Sequence, residues 1–435
     1  MTELSTGAHP AAAARLIRGS GWEGRADYER DGGYRPGLEG PALIDAVAAS
    51  GLRGRGGAAF PLARKLTAVA AQPGAVQPGA AQPGERIVLV NGEEGEPVSV
   101  KDRWLLRTRP HLVIDGALRA ARAIGAGTVY FYVSDPAAAV SLDTAIAELD
   151  GLGVALRVFQ VEPSYVAGEE TAAVNALNGR PAKPSEKPPR PFEEGVRGLP
   201  TLVSNAETIA NLPAIAAGDE RAATTFLLTL GGAVPRPGLY EVPFGVTVGE
   251  ALETLGGLAG RPKGYVMGGY FAGVLGARGH ALPLDYDALR AEGTGLGCGA
   301  VTVLGPGDCP VGAAALLLAY FGRENAGQCG SCFNGTAAMA GVAAALARGE
   351  AGSADVQRLE TWAGFLPGRG ACATLDGAAG IAATLLREFA DEVESHRVRS
   401  CAACEATDFL SPAAPFARTP DSISPRPAAP WRSSL

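Results

Sequence analysis

The sequence predicts an α/β domain over residues 40–218, a small mixed domain over 222–304 and a helical bundle over 308–398. Three observations predict it. In the first half, short apolar runs of strand type alternate with segments of helical period. Near residue 220 the composition shifts to closely spaced strand-like runs with a single helix among them. After residue 308, apolar residues recur at three- and four-residue spacing through four successive segments.

In chain order, residues 1–39 are a polar, Gly-rich extension in which little regular structure is expected. PALIDAVAASGL (41–52) reads as a short helix ending at Gly51, and GRGGAAFP (54–61) as a glycine loop. AQPGAVQPGAAQPG (71–84) repeats Q-P-G every five residues and reads as a surface loop. RIVLV (86–90) is a strand buried on both faces that opens into the polar loop NGEEGEP (91–97). Open α/β sheets bind ligands at such carboxyl ends. HLVIDGALRAARAIG (111–125) is a helix; TVYFYV (128–133) and LRVFQV (156–161) are further strands. The polar loop SYVAGEET (164–171) follows, and KPSEKPPRP (183–191) is too proline-rich for regular structure.

In the small domain, TTFLLTL, GLYEVPF, GYVMGGYFAGVL and AVTVLG read as strands and VGEALETLGG as a helix. The bundle helices are VGAAALLLAYFGRE, GTAAMAGVAAALARG, ADVQRLETWAGFL and GIAATLLREFADEVESH. Leu385, Phe389 and Val393 form a core stripe on the last. Residues 399–435, with a CxxC at Cys401 and Cys404, are expected to be a flexible tail.

The 435 residues carry a net charge of −7, with 47% apolar and 19% charged residues. That balance fits a largely globular chain and argues against a nucleic-acid partner. The longest apolar run, near Gly312–Phe321, is too short to span a bilayer, and the N-terminus lacks the apolar core of an export signal. A cytoplasmic protein without a membrane span is expected. The seven cysteines gather toward the C-terminal third, which suggests metal or redox chemistry rather than a disulfide framework. Cys298 and Cys309, in apolar and Gly/Pro surroundings, read as buried small residues.

Several motifs carry chemistry. The backbone N–H groups of GRGG (54–57) suit an anion such as phosphate, with Arg55 and Lys65 adding charge. Glu93, Glu94 and Glu96, together with the GEE at 168–170, offer acceptors for hydroxyl and N–H groups. ENAGQCGSCFNGT (324–336) places Cys329 three positions before Cys332, with two residues between them. That pair is half of a zinc site, a redox pair or part of an iron–sulfur ligand set.

SGLRGRGGAAFP, VNGEEGEPVSVKDR, SYVAGEET, KPPRP and GLPTLVSNAETIAN occur in one order along the chain. Together they resemble the NADH- and FMN-binding flavoprotein subunit of respiratory complex I. That family includes the diaphorase subunits of NAD-linked hydrogenases and formate dehydrogenases. The resemblance covers roughly residues 40–398. It implies an α/β FMN-binding domain, a small β-grasp domain and a C-terminal helical bundle carrying a [4Fe-4S] cluster.

Residue by residue, the resemblance puts Gly54, Arg55, Gly56 and Lys65 in the flavin-phosphate loop. It puts Asn91, Glu93 and Glu94 in the flavin segment, with Glu93 where Asp is usual. Tyr165, Gly168, Glu169 and Glu170 fall in a second flavin loop. Ser204, Asn205 and Thr208 fall in a third, with Ser204 where Asn is usual. Phe60, Lys65, Glu96, Glu170 and Lys187 match positions near the dinucleotide, and Glu96 and Glu170 are the residues expected to position the nicotinamide for catalysis. Ala68 and Arg190 stand where the family has aromatic residues. Arg190 either stacks in their place or pairs with a 2′-phosphate, which would favour NADPH over NADH.

For the metal, Cys329, Cys332 and Cys372 match three ligands of an iron–sulfur cluster, and the first ligand has become Ala326. The three thiolates hold a [3Fe-4S] cluster, a [4Fe-4S] cluster completed by water, Asn325 or another group, or nothing. Cys401 or Cys404 could complete the set, or both could join Cys329 and Cys332 as a zinc site. The resemblance implies hydride transfer from NAD(P)H to FMN and onward transfer to an iron–sulfur or ferredoxin-like protein, the family's usual partner being a thioredoxin-like [2Fe-2S] protein. An FMN-only diaphorase and a non-catalytic assembly protein are the alternatives.

Overall fold

The computed structural model describes residues 5–12, 14–19, 21–72 and 85–417. Most of the Q-P-G repeat, residues 73–84, lies outside them. The described residues form ten strands: β1 (Ser5–Ala8), β2 (Ile87–Asn91), β3 (Thr128–Val133), β4 (Ala155–Gln160), β5 (Thr201–Asn205), β6 (Thr225–Gly232), β7 (Gly238–Pro243), β8 (Gly264–Met267), β9 (Val274–Leu275) and β10 (Ala300–Leu304).

The first sheet is parallel throughout, in the order β4-β3-β2-β5. Parallel neighbours need crossovers. Here these are the helices Lys101–Thr108 and Pro110–Ile124, then Pro136–Ala147, then Glu170–Leu177. Ile87, Val88, Leu89 and Val90 of β2 are fully buried, as a strand covered on both faces requires. From β2 the chain steps to β3 and β4 on one side, and β5 returns on the other. The crevice at the carboxyl ends of β2 and β5 is therefore a topological switch point.

The second sheet is mixed, in the order β1-β7-β6-β10-β8-β9, with β1 parallel to β7 and β10 parallel to β6. The expected helix at VGEALETLGG is a short turn, Val248–Ala251, closed by a Thr247–Glu250 capping box and continued in wider π geometry over Leu252–Gly256.

After β10 the chain is helical: Pro310–Glu324, Gly330–Ala347, Ser353–Phe365, Thr374–Glu388 and Ala390–His396. The last expected helix is thus broken at Phe389, which with Leu385 and Val393 is buried in the helical core. Helix Gly330–Ala347 is long and apolar enough to cross a membrane, and it packs Met339, Ala343 and Leu346 into this core.

Two expectations are corrected. The N-terminal extension is structured. Strand β1 joins the second sheet, and the buried Glu241 carboxylate accepts from the backbone amides of Arg15, Leu16 and Ile17 at 2.8, 2.7 and 3.2 Å. The acceptor lies more than 220 residues away in sequence, so no local pattern announces it. The tail is also not free as far as residue 417. Phe409 and Phe416 pack on the helical core, and the buried Tyr270 hydroxyl donates to the Pro415 carbonyl. Residues 418–435 lie outside the described residues.

Candidate functional site

The crevice is built from the ends of two strands and one loop. Asn91 and Asn205 are paired in register on β2 and β5, one step beyond Val90 and Ser204. The glycine loop folds over them. Gly54 N–H donates to the Phe60 carbonyl at 2.9 Å, and Arg55 N–H donates to Thr208 Oγ1 at 2.8 Å. A Cβ on Gly56 would stand 3.3 Å from the Asn205 side chain, so the loop backbone lies directly on the end of β5. The Arg55 guanidinium does not face this loop. It is buried, donates to the carbonyls of Ala223 and Thr225, and sits 4.6 Å from the Phe244 ring centroid. Its Nε also stands 3.9 Å from the buried Glu207 carboxylate, so its charge is engaged within the protein.

Beneath the crevice lies a buried charge network that sequence reasoning missed. Lys101 Nζ is 2.8 Å from Asp102 and 3.1 Å from Glu207. Burial opposes its charge, but these carboxylates hold its pKa well above the ordinary value. Asn205 caps the short helix Ala206–Ile209 and donates to Asp102 at 2.7 Å. Glu207 also accepts from the amide of Leu227 on β6. The only signal in the sequence was the Lys-Asp pair after the NGEEGEP loop.

The carboxylates of that loop divide into two kinds. Glu94 is fully engaged: it accepts from Ser99 Oγ at 2.5 Å and from Arg103 N–H and Nε–H at 3.1 and 3.2 Å. It thereby holds the N-terminus of helix Lys101–Thr108. Despite burial, Arg103 and Lys101 keep its pKa below the usual carboxylate range. Glu93 and Glu96 are the opposite. Both oxygens of Glu93 and Oε1 of Glu96 are buried without a hydrogen bond of good geometry, and burial pushes both groups up to about 8. Backbone is packed against each: a Cβ on Gly168 would strike Glu93 Oε2 at 2.6 Å, and one on Gly269 would strike Glu96 at 2.4 Å. Buried acceptors without partners are rare in native proteins and call for a ligand. Asn91 Nδ2 donates to the Gly168 carbonyl at 2.7 Å, and Tyr165 OH reaches Glu96 at 3.5 Å. These contacts bring the second loop to the first.

A charged chain runs along the rim. Lys65 Nζ is 3.2 Å from Glu170, and Lys187 Nζ is 2.9 Å from Glu170 and 2.7 Å from Glu169. Glu169 also caps helix Glu170–Leu177 through Thr171 N–H and Ala172 N–H. Burial opposes ionisation of Glu170, but Lys65 and Lys187 hold its pKa below the ordinary value. Phe60 is 45% exposed. Arg190 is also exposed, with its backbone N–H bonded to Glu193.

The metal candidates gather as expected in part. Cys329, Cys332 and Cys372 line one small cleft with Ala326 and Pro184. Ala371 N–H donates to Cys329 Sγ at 3.4 Å. Burial, then the neighbouring Cys372 and Cys329, push the Cys332 thiol up to about 11. A bound cation reverses that penalty, because a coordinated thiol loses its proton. Neither Asn325 nor the CxxC completes the set. The Asn325 amide donates to the Phe321 and Gly322 carbonyls at 3.1 and 2.9 Å, and its oxygen accepts from Gly327 N–H at 3.0 Å. Cys401 and Cys404 instead sit with Cys309 and His396. Cys309 is buried, as its surroundings suggested, and is one of that group. Pro184 lines the cleft three residues before Lys187, and Tyr165 meets Phe321 edge-on at 5.1 Å.

Comparison with known proteins decides the family. Residues 47–214 match the Nuo51 FMN-binding domain, and residues 312–396 match the NADH-ubiquinone oxidoreductase-F iron-sulfur binding region. An F-type subunit of NADH-quinone oxidoreductase in Rhizobium meliloti is 33% identical over 401 residues, covering 85% of this chain and 93% of that protein. The chain belongs to the family of NADH-quinone oxidoreductase F-type subunits. The F-type subunit of Streptomyces coelicolor is 32% identical over 379 residues, covering 81% of this chain and 82% of its own. Among solved structures, the NAD+-reducing [NiFe]-hydrogenase in its H2-reduced state matches with a TM-score of 0.73 and 29% identity. That alignment covers 83% of this chain and 63% of the longer hydrogenase chain.

As a member of this family, the chain is an NADH-binding FMN flavoprotein with an iron–sulfur binding region. The residues fit both groups. Three buried carboxylate oxygens of Glu93 and Glu96 lack a hydrogen bond on the loop that leaves β2, and the glycine loop lies on the end of the neighbouring β5, which together suit a flavin bearing hydroxyl and N–H donors. Three thiols around one cleft suit a cluster with three protein ligands. Cys332→Ala is expected to remove the bound iron, read by metal analysis, and to leave the flavin content unchanged.

Proposed function

We propose that this chain is an electron-entry subunit that oxidises NADH and passes electrons to an iron–sulfur protein. The carrying observation is a set of buried acceptor atoms without a hydrogen bond, both oxygens of Glu93 and Oε1 of Glu96, on the loop that leaves β2 at the switch point of a parallel sheet. FMN supplies hydride acceptance and one-electron release when bound, and a cluster on Cys329, Cys332 and Cys372 supplies the one-electron outlet.

The chain's own residues bind and orient. The backbone of Gly56, in the loop that Gly54 closes onto the Phe60 carbonyl, takes the flavin phosphate, and Asn91, Glu93, Ser204, Asn205 and Thr208 take its polyol and ring edges. Glu94 and Glu169 act by fixing helix ends beside the site, and Gly168 gives the second loop its close approach. Lys65, Glu170 and Lys187 hold the rim, Phe60 stacks on the dinucleotide, and Glu96, steadied by Tyr165, sets the position of the nicotinamide. Residues 40–218, 222–304 and 308–398 act as flavin-binding, β-grasp and iron–sulfur units respectively, with Ser5–Ala8 of the N-terminal extension paired into the second sheet. The acceptor is a small ferredoxin-like or thioredoxin-like protein.

Steady-state reduction of ferricyanide by NADH tests this, with flavin measured on the same samples. Glu96→Gln is expected to lower kcat/KM for NADH at least tenfold at unchanged flavin content. Phe60→Ala is expected to raise KM by about two- to tenfold, the worth of one aromatic contact. Wild-type turnover without bound FMN, or Glu96→Gln with unaltered kinetics, would overturn the reading. Ala326 favours a second reading, an FMN-only diaphorase. That reading requires flavin-dependent turnover in protein that still holds no iron after anaerobic reconstitution.

A further inference from the structure

We propose that Cys309, His396, Cys401 and Cys404 form a second metal site, one that binds a single zinc ion and pins the C-terminal segment to the start of the helical region. All four ligand atoms lie within 4.8 Å of one another. His396 Nε2 is 3.4 Å from Cys309 Sγ and 3.7 Å from Cys404 Sγ. A tetrahedron of sulfur and nitrogen around one zinc ion, with bonds of about 2.3 and 2.0–2.1 Å, has edges of about 3.6–3.8 Å. The group therefore has the dimensions of a single ion's ligand shell. Cluster thiolates bound to different irons stand further apart. The site lies outside the residues matched as the iron–sulfur binding region, apart from His396 at their end.

The surroundings prepare each donor. His396 Nδ1 is 2.8 Å from the Glu392 carbonyl, so it carries the ring proton and leaves Nε2 as a lone pair aimed at the sulfurs. Cys309 is the N-cap of helix Pro310–Glu324 and accepts from Gly312 N–H at 3.5 Å, a position that favours thiolate. A Cβ on Gly312 would stand 3.0 Å from Cys404 Sγ, so a bare backbone lets the two sulfurs converge. Cys309, His396 and Cys404 are buried and Cys401 is half-buried. Three thiolates and one imidazole leave no open position, which marks a structural site. The ion would close a loop from residue 309 to residue 404 that contains Cys329, Cys332 and Cys372. It would therefore brace the frame of the iron–sulfur cleft without touching it.

The test is metal analysis of the full-length, untagged protein from zinc-supplied cells, with Cys401→Ser and His396→Gln beside it. One zinc per wild-type chain is expected, with at least a fivefold loss in either variant and the ratio of iron to flavin unchanged. Cobalt substitution of the wild type covers the case of a variant that does not fold. Visible bands of a tetrahedral, thiolate-bound cobalt ion are expected, together with a melting temperature several degrees lower once the metal is stripped. Zinc below a tenth per chain together with no tetrahedral cobalt spectrum would overturn the proposal. So would zinc retained by both variants, or iron lost from Cys401→Ser in step with zinc.

Discussion

The flavin-free protein is expected to lose stability as pH rises from about 5 to 8, and Glu93→Gln is expected to remove much of that loss. Glu93 and Glu96 are buried and pushed from an ordinary 4.5 to about 8. A carboxyl raised in this way binds its proton more tightly folded than unfolded. Between those two values the unfolded chain has already ionised while the folded one has not. Stability therefore falls with rising pH until the folded group also ionises near pH 8. Each shift corresponds to about 5 kcal/mol at its full extent. Asp102, raised by burial to about 6 against the pull of Lys101, adds to the fall below that pH. His111, lowered by burial, opposes it below its ordinary 6.5. The difference between wild type and variant isolates Glu93. Denaturant unfolding of flavin-free protein across this pH range gives that difference. A profile of the same slope in Glu93→Gln and wild type would mean that this carboxyl is solvated.

Lys101→Met is expected to cost about 3–5 kcal/mol of stability, the usual penalty for removing one partner of a buried ion pair. The Lys101 ammonium is the cation shared by Asp102 and Glu207, and all three side chains are at most 5% exposed. Without it two carboxylates remain buried, and Asn205 Oδ1 loses the Lys101 ammonium it accepts from at 3.3 Å. Flavin content is expected to fall with stability, because the loop of Gly54 to Gly56 rests on Asn205 and Thr208. Lys101→Met/Asp102→Asn removes one of the stranded charges and is expected to recover part of the loss. A single variant within about 1 kcal/mol of wild type would show that water reaches the network.

The elements readable from the sequence were those whose burial is local. β2, β3, β4 and the helix Pro110–Ile124 fall within a residue or two of RIVLV, TVYFYV, LRVFQV and HLVIDGALRAARAIG. Helix Lys101–Thr108 was hidden because Lys101, Asp102 and Arg107 are buried charges that break any apolar period; Glu94 supplies its N-terminal cap from the preceding loop. Strand β5 lay unrecognised inside GLPTLVSNAETIAN, since Thr201, Ser204 and Asn205 leave only two apolar residues in it. Motif order marked loops that the fold brings together at the ends of β2 and β5, but not the courses of their side chains. Arg55, Glu94 and Glu169 prove to be committed to protein partners, and only the fold shows that both oxygens of Glu93 and one of Glu96 are left without a hydrogen bond. The Cys309–His396–Cys401–Cys404 group reaches across most of the helical region, and only its CxxC was visible as a motif.

The claim that this chain takes electrons from NADH onto FMN is tested most directly by an anaerobic visible spectrum of the purified protein before and after NADH. Flavin bands amounting to about one FMN per chain, bleached by NADH over a broad iron–sulfur background, are the expected result. Flavin bands unchanged by excess NADH, or a protein still colourless after reconstitution with FMN, iron and sulfide, would contradict it.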